Sequence, residues 1–266
     1  MSANIKHTKR PPCDDCGAPA DIKPDDWSMF CAACYLSKIG RGKNYLTPEN
    51  ISAIHRLTQP TKGKVMNLKI SNGSGKLSDI QSLNTNTLSN PFCQKMVNSK
   101  NDEIICTKCY SDTMLRGIRK NCVPAWEMNS EILSGGLIPS HMLPTILQAF
   151  FRFSSHGELI NMTHLENLHN ITLHNPHCSF ALWTKRKDLI RKFYAQNMKP
   201  ANLILIYSNP RIDAVMDTPP EFFDRTFNNV SPDSPVEQNC TGQKCKDCLI
   251  CYRIDSGIDT IVEAVK

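Results

Sequence analysis

No stretch of this sequence approaches the roughly eighteen consecutive apolar residues of a membrane-spanning helix. No apolar segment follows the charged start MSANIKHTKR either, so nothing marks a secretion signal. We therefore expect a cytoplasmic protein with no membrane partner. Cysteines in that compartment stay reduced, and a cysteine-rich chain there is typical of metal binding or catalysis rather than of disulfide stapling.

The composition is that of a globular protein. With 266 residues, 40% of them hydrophobic and 21% charged, the chain can bury one sizeable core and carry a small extra module. The net charge is +6, and the basic excess is concentrated in the first quarter of the chain. Charge of this size is only a weak indication of a polyanionic partner, because solvated basic faces are common.

Cysteines are abundant, and all thirteen except Cys178 fall into three groups. The first group consists of two C-x2-C pairs fourteen residues apart, a spacing that predicts one structural zinc ion in a zinc-ribbon-like module over residues 1–45. A capped helical linker is predicted over 46–63. Such a module either binds nucleic acid or docks onto its own catalytic domain, and the sequence favours neither of these roles. The predicted zinc ligands are Cys13, Cys16, Cys31 and Cys34.

The segment 64–256 is predicted to be an α/β domain. Apolar strands recur with helices between them, which is typical of parallel βα repeats that form a partial or complete barrel. The polar tract 71–93 is interpreted as a long functional loop. The predicted strands are 64–70, 150–155, 178–184, 201–208 and 227–230, and the predicted helices are 123–133, 142–150, 163–169 and 185–196.

Three successive predicted strands end in hydroxyl and cationic side chains. In parallel sheets the chemistry gathers at the carboxyl ends of the strands, and this combination suits an anionic or phosphate-bearing ligand. Glu158 is the predicted acid or base and Lys185 its predicted catalytic partner. The predicted substrate-binding residues are Arg152, Ser154, Ser155, Thr184, Ser208, Asn209 and Arg211.

The two other cysteine groups flank these repeats. Cys93, Cys106 and Cys109 precede them, with Cys122 as a possible fourth ligand and Cys178 interpreted as a core residue. Their spacing differs from the C-x3-C-x2-C loop of radical S-adenosylmethionine enzymes. The last group closes the chain. We expect either that each of these two groups holds its own iron–sulfur cluster or second zinc ion, or that the two groups share metals. In the last group, the dense spacing without histidine favours iron–sulfur. The terminal ligands are Cys240, Cys245, Cys248 and Cys251.

Four stretches in order resemble the phage "gene product 88" family over roughly residues 64–253. They are CTKCY, the segment from FFRFSSHGEL to LWTKRKDLI, NLILIYSNPRID and CTGQKCKDCLICY. The resemblance implies a phage origin, and hence the host cytoplasm, with an α/β fold. It implies no reaction. The family pattern falls on Arg152, Ser155, Gly157, Glu158, Thr184, Lys185, Ser208 and the terminal cysteines.

Two functions are compatible with these patterns. The first is an enzyme with a cysteine-ligated metal centre that acts on a nucleotide or nucleic acid. The second is a non-catalytic, zinc-stabilised protein that binds DNA, RNA or a host protein. The second accounts for the basic charge and the first cysteine group, but it leaves the polar strand ends unexplained.

Overall fold

The computed structural model describes residues 67–265. The chain divides into two compact units, and residues 67–138 and 143–265 belong to the unit described below. The short 3-10 helix Ser140–Met142 belongs to the other unit. The zinc module predicted for 1–45 and the linker predicted for 46–63 lie outside the described residues.

The described residues contain seven strands, six α-helices and several short 3-10 helices. The strands are β1 Ile70–Ser71, β2 Gln81–Leu83, β3 Phe150–Phe153, β4 Ser179–Thr184, β5 Leu203–Ile212, β6 Arg225–Val230 and β7 Thr260–Ala264. The helices are α1 Pro91–Val97, α2 Tyr110–Arg116, α3 Val123–Gly135, α4 Met162–His174, α5 Lys187–Tyr194 and α6 Cys245–Cys248. Four 3-10 helices complete this unit at Gly75–Leu77, Ile105–Lys108, Lys120–Cys122 and Ile254–Ser256.

All seven strands form one sheet in the order β1 to β7. The pair β1–β2 is antiparallel, and each later strand lies parallel to the one before it. The predicted α/β class with parallel βα repeats is therefore confirmed. A complete barrel would require β7 to pair with β1, and the pairings among residues 67–265 include none between them.

Helices cover one face of the sheet. Because right-handed crossovers between neighbouring parallel strands run in the same direction along the sheet, the connecting helices lie on the same side. Helix α3 packs against α4, and α4 packs against α5. Under them, the rings of Phe151 and Phe153 contact Phe180, which stacks on Phe153 with 5.0 Å between centroids.

The carboxyl-terminal segment covers the opposite face. Ala181, Trp183, Ile204 and Ile206 form a buried cluster there with Tyr252. Apolar and cysteine side chains of the segment 240–258 pack against this cluster. The segment crosses from β6 to β7 where a crossover helix would otherwise be expected, and Cys240, Cys245 and Cys251 are partly buried against the core cluster.

The structure confirms the central repeats and corrects the ends of the prediction. Strands β3 to β6 and helices α3 to α5 lie within a few residues of the predicted ranges. Of the strand expected at 64–70, residues 64–66 lie outside the described residues, 67–69 are not strand and Ile70 begins β1. The tract interpreted as a loop contains β2 and the start of α1. The helix expected over 142–150 is wrong. Strand β7 was not predicted and extends the sheet beyond residue 256.

No helix within the described part of the chain is both long and apolar enough to span a membrane.

We expect Gly157→Ala to lower the free energy of unfolding by at least about 2 kcal/mol. Gly157 has a φ of +83°, and a Cβ atom there would lie 2.1 Å from the Thr85 Oγ1 atom and 2.7 Å from the Thr85 carbonyl oxygen. Gly135 is the matched control, since it ends α3 and a Cβ atom added there would meet nothing within 4 Å. Urea unfolding measures both variants. Equal stabilities would contradict the prediction.

Candidate active site

Glu158 joins the ends of β3 and β4. Its side chain is 5% exposed and accepts three hydrogen bonds. The Oε1 atom accepts from the Thr184 hydroxyl at 2.5 Å and from the Leu159 amide at 2.8 Å, and Oε2 accepts from the Lys185 amide at 2.8 Å. The carboxyl group thus fixes the turn that follows each strand, which is why these predicted site residues come together.

The positively charged Lys185 side chain lies in the same site. Its ammonium group donates to the Ser208 hydroxyl at the end of β5, with 2.9 Å between Nζ and Oγ. Burial acts to lower the pKa of Lys185, but the negative charge of neighbouring acidic groups outweighs it and raises the pKa overall. Those neighbours are Cys106, Glu158, Cys109 and Cys93.

Three cysteines from two segments therefore surround this lysine. Cys93 lies in the first turn of α1, where the Asn90 side chain caps the helix by accepting from the Phe92 and Cys93 amides. Asn90 also donates to the Glu158 carbonyl oxygen at 2.9 Å, which ties α1 to the strand ends. We call Cys93, Cys106 and Cys109 the inner thiols.

The other inner thiols are held beside α1. Cys106 lies in the 3-10 helix Ile105–Lys108, which packs against α1, and Cys109 immediately precedes α2. Burial raises the pKa of both Cys93 and Cys106, and the negative charges of Glu158 and Cys109 raise it further while Lys185 opposes them. Without a metal, these two thiols keep their protons at neutral pH.

Cys122 comes after α2 in the chain. It ends the 3-10 helix Lys120–Cys122 directly before α3. Whether Cys122 completes a ligand set stays a hypothesis.

Three predicted substrate-binding residues do not face the site as expected. Arg152 lies on the sheet face, with its guanidinium carbon 3.8 Å from the centroid of the Trp183 ring. Asn209 donates to the Ala214 carbonyl and to Asn228, and so holds the β5–β6 connection. Arg211 is exposed, and its backbone forms a bridge with Ile104.

Ser154 and Ser155 follow β3 and are both buried. Ser154 adopts a φ of 58°, and the carbonyl oxygen of Ser155 accepts a hydrogen bond from the Tyr110 hydroxyl. The Ser155 hydroxyl has no hydrogen-bond partner among the described residues, so it remains able to contact a ligand.

The four terminal cysteines lie at a second place, under the sheet face. Burial raises the pKa of Cys251 to about 12, with Arg152 opposing and Cys240 and Cys245 adding to the shift. The charges that act on the pKa of Cys245 and Cys251 are those of nearby cations and of other terminal cysteines. The inner and terminal cysteines therefore form separate groups here.

Sequence analysis missed two side chains, Lys76 and His156. Lys76 donates to the Cys240 sulfur at 3.2 Å and pairs with Glu263. His156 packs against the rings of Tyr110 and Trp126, with centroids 5.3 and 4.5 Å away. Burial, together with the charges of Arg119 and Arg152, lowers the pKa of His156 to about 3, so this ring is neutral at physiological pH. No local pattern in the sequence marks either contact.

A shallow depression of about 380 Å³ lies between α1 and the residues that follow Glu158 and Lys185. The Phe92 ring forms part of its wall, and the Arg186 guanidinium lies 5.0 Å from the centroid of that ring. Arg186 also donates to the carbonyls of Leu159 and Ile160, directly after Glu158. The lining residues are Pro91, Phe92, Lys95, Ile160, Arg186 and Asp188.

Within residues 67–265, no three histidine, cysteine, aspartate or glutamate side chains are arranged to hold a single metal ion. The ligands predicted at Cys13, Cys16, Cys31 and Cys34 lie outside this part of the chain. Comparisons with protein-family models, with curated proteins and with solved structures find no match. Membership of the gene product 88 family therefore stays a prediction, as do the metals.

We expect Lys185→Met to slow alkylation of Cys106 by iodoacetamide several-fold at pH 8. The ammonium group lowers the pKa of the Cys106 thiol, so its removal reduces the reactive thiolate fraction. Site-resolved mass spectrometry of protein freed of metal by a chelator measures the rate. Cys122 in the same samples is the internal control. A rate that is unchanged at Cys106 would contradict the prediction.

Proposed function

We propose that this chain is an enzyme whose cysteine-ligated metal centre lies at the carboxyl ends of the parallel strands and acts on a nucleotide or nucleic acid. One observation carries the proposal: the inner thiols lie close enough to Lys185 and Glu158 to act on each other's pKa, at the end of the sheet where α/β enzymes bind their substrates.

The donor set fits a thiophilic centre. Thiolates select iron–sulfur clusters and zinc, and metal binding replaces the protons that burial otherwise keeps on Cys93 and Cys106. Three protein ligands leave one coordination position open, as catalytic centres require. We favour an iron–sulfur cluster over a zinc ion, because all three candidate ligands are thiolates and none is a histidine.

The neighbouring side chains have distinct roles in this proposal. Lys185 supplies a positive charge beside the centre, which stabilises a bound anion or charge that develops during the reaction. Glu158 supplies a carboxyl group for proton transfer. Thr184 orients Glu158 through its hydroxyl, and Ser208 orients Lys185. The centre, when bound, supplies Lewis-acid or redox chemistry at the open position.

The adjoining depression supports a nucleotide as the substrate. Its volume falls in the range of small-molecule sites, and it combines an aromatic ring with two cations. The Phe92 ring offers a surface on which a base stacks, and Lys95 offers charge to phosphate. Arg186 is already paired with Asp188, which also lines the depression. The zinc module proposed for residues 1–45 would add a second contact to DNA or RNA.

Metal analysis tests the centre. We expect the full chain, purified anaerobically, to be brown and to contain iron and acid-labile sulfide. The double variant Cys106→Ala/Cys109→Ala is expected to lose a substantial part of both, whereas Cys122→Ala retains them. Iron and sulfide that are equal in all three proteins, or absent from the wild type, would overturn a cluster at the inner thiols.

Nucleotide binding tests the substrate class. We expect Phe92→Ala and Lys95→Ala each to weaken binding of nucleoside 5′-monophosphates or short single-stranded DNA by roughly ten-fold, because base stacking contributes about 1–3 kcal/mol. Lys192→Ala, an exposed lysine on α5, is the matched control for net charge. Isothermal titration calorimetry measures all four proteins. Absence of binding to the wild type would sink the nucleotide proposal.

A further inference from the structure

The four terminal cysteines are arranged around one short helical turn. Cys245 and Cys248 begin and end α6, and Leu249 then turns the chain with a φ of 54° towards Cys251. Cys240 is fixed from the other side, since its amide donates to the Val262 carbonyl in β7 at 3.0 Å. We call these four residues the terminal thiols. Their backbone is thus held by the sheet edge and by the turn.

Three cations converge on the terminal thiols. Lys76 donates to the Cys240 sulfur, and Arg152 acts electrostatically on both Cys245 and Cys251. The Nε atom of Arg152 is buried without a hydrogen-bond partner among the described residues. Arg225 also acts on Cys251, and it donates to the carbonyls of Ile250 and Arg253, on either side of that cysteine.

This excess of positive charge points to an anionic occupant. A buried cation is costly unless it is paired, and neutral thiols do not pair with Arg152. Four thiolates around a dication, or around a four-iron core of the same charge, carry a net charge of about −2. Such a centre would balance the charge of Arg152, while Lys76 is already paired with Glu263 and donates to Cys240 as well.

The spacing distinguishes the two kinds of centre. Cys245, Cys248 and Cys251 form a C-x2-C-x2-C run, which is the run that holds three irons of a four-iron cluster in bacterial-type ferredoxins. Structural zinc sites instead combine two ligand pairs across a longer loop. Cys240 lies near enough in the chain to supply the fourth ligand. It also contacts Lys76, so it is already oriented towards the group.

We propose that the terminal thiols hold a closed four-iron, four-sulfide cluster on the sheet face, with Arg152 as its counter-charge and with Lys76 donating to the Cys240 sulfur. Because all four irons have a cysteine ligand, this cluster offers no open position to a substrate. It differs in this respect from the centre proposed at the inner thiols. The inference of a terminal cluster goes beyond the proposed function, and it does not depend on a centre at the inner thiols.

Two double variants test the inference in the full chain under anaerobic conditions. Cys106→Ala/Cys109→Ala is expected to retain about four iron and four sulfide per chain and, after reduction with dithionite, the electron paramagnetic resonance spectrum of a four-iron cluster. Cys245→Ala/Cys248→Ala is expected to lose that spectrum. Cys122→Ala is the control and is expected to match the wild type.

The outcomes separate this inference from the proposed function. Loss of iron only in the terminal variant supports the terminal cluster and overturns the inner centre. Loss of iron only in the inner variant supports the inner centre and overturns the terminal cluster. If the terminal variant instead loses zinc, or if the inner variant holds no iron while it is folded by circular dichroism, the terminal cluster is overturned. The inner variant leaves the terminal thiols intact, so the test stands even if the terminal variant does not fold.

A third variant tests the counter-charge. Arg152→Gln is expected to keep the iron and to shift the midpoint potential of the terminal cluster to a more negative value, because loss of a buried cation disfavours the reduced, more negative state. Arg152→Lys is expected to restore part of the shift. Arg253→Gln is the control, since Arg253 is exposed and pairs with Asp255. An unchanged potential in Arg152→Gln would overturn the role of Arg152.

Discussion

The three hydrogen bonds accepted by Glu158 set the geometry on which the candidate site depends. They join the turn after β3 to the turn after β4, and the bond from the Lys185 amide fixes where that lysine leaves the strand. From there Lys185 reaches Ser208 on β5. The Glu158 carbonyl oxygen holds Asn90, which in turn caps α1 and positions Cys93. The side chain and the backbone carbonyl of Glu158, together with Lys185, thus connect three strand ends with the first of the inner thiols.

Strand alternation relates the two thiol groups to each other. Side chains two residues apart point to the same face, so Trp183 in β4 and Lys185 just beyond it lie on the side that the carboxyl-terminal segment covers. Arg152 is stacked on Trp183 on this side. Arg152 acts on the pKa of Cys245 and Cys251, and Lys185 acts on that of Cys93 and Cys106. Each thiol group therefore has its own nearby cation, which would balance the charge of each proposed centre separately.

The sequence was sufficient to predict the middle of the sheet because its strands are buried on both faces. Strands such as β4 and β5 are continuous apolar runs, and such runs are hard to place elsewhere. Strands β1 and β2 are only two and three residues long and polar in part, so no periodicity could reveal them. The apolar segment 142–150 has the composition of a helix, but the Ile146 amide donates to the Asn175 side chain and Asn175 donates to the Pro144 carbonyl. Those tertiary bonds hold the chain extended.

The candidate site was also predictable only in part, because some of its contacts follow from the strand order and others only from the tertiary fold. Residues after successive parallel strands must meet at one edge, so Glu158, Lys185 and Ser208 could be grouped from sequence alone. Arg152 could not be placed, because the one-residue alternation of β3 decides whether a side chain joins the strand ends or the sheet face. Lys76 and Cys240 are far apart in the chain, and only the fold brings them into contact. The cysteine spacing predicted metal ligands from the sequence alone. The positions of the cations follow from tertiary packing and could not be predicted in this way. It is these cations that indicate what kind of centre each thiol group would hold.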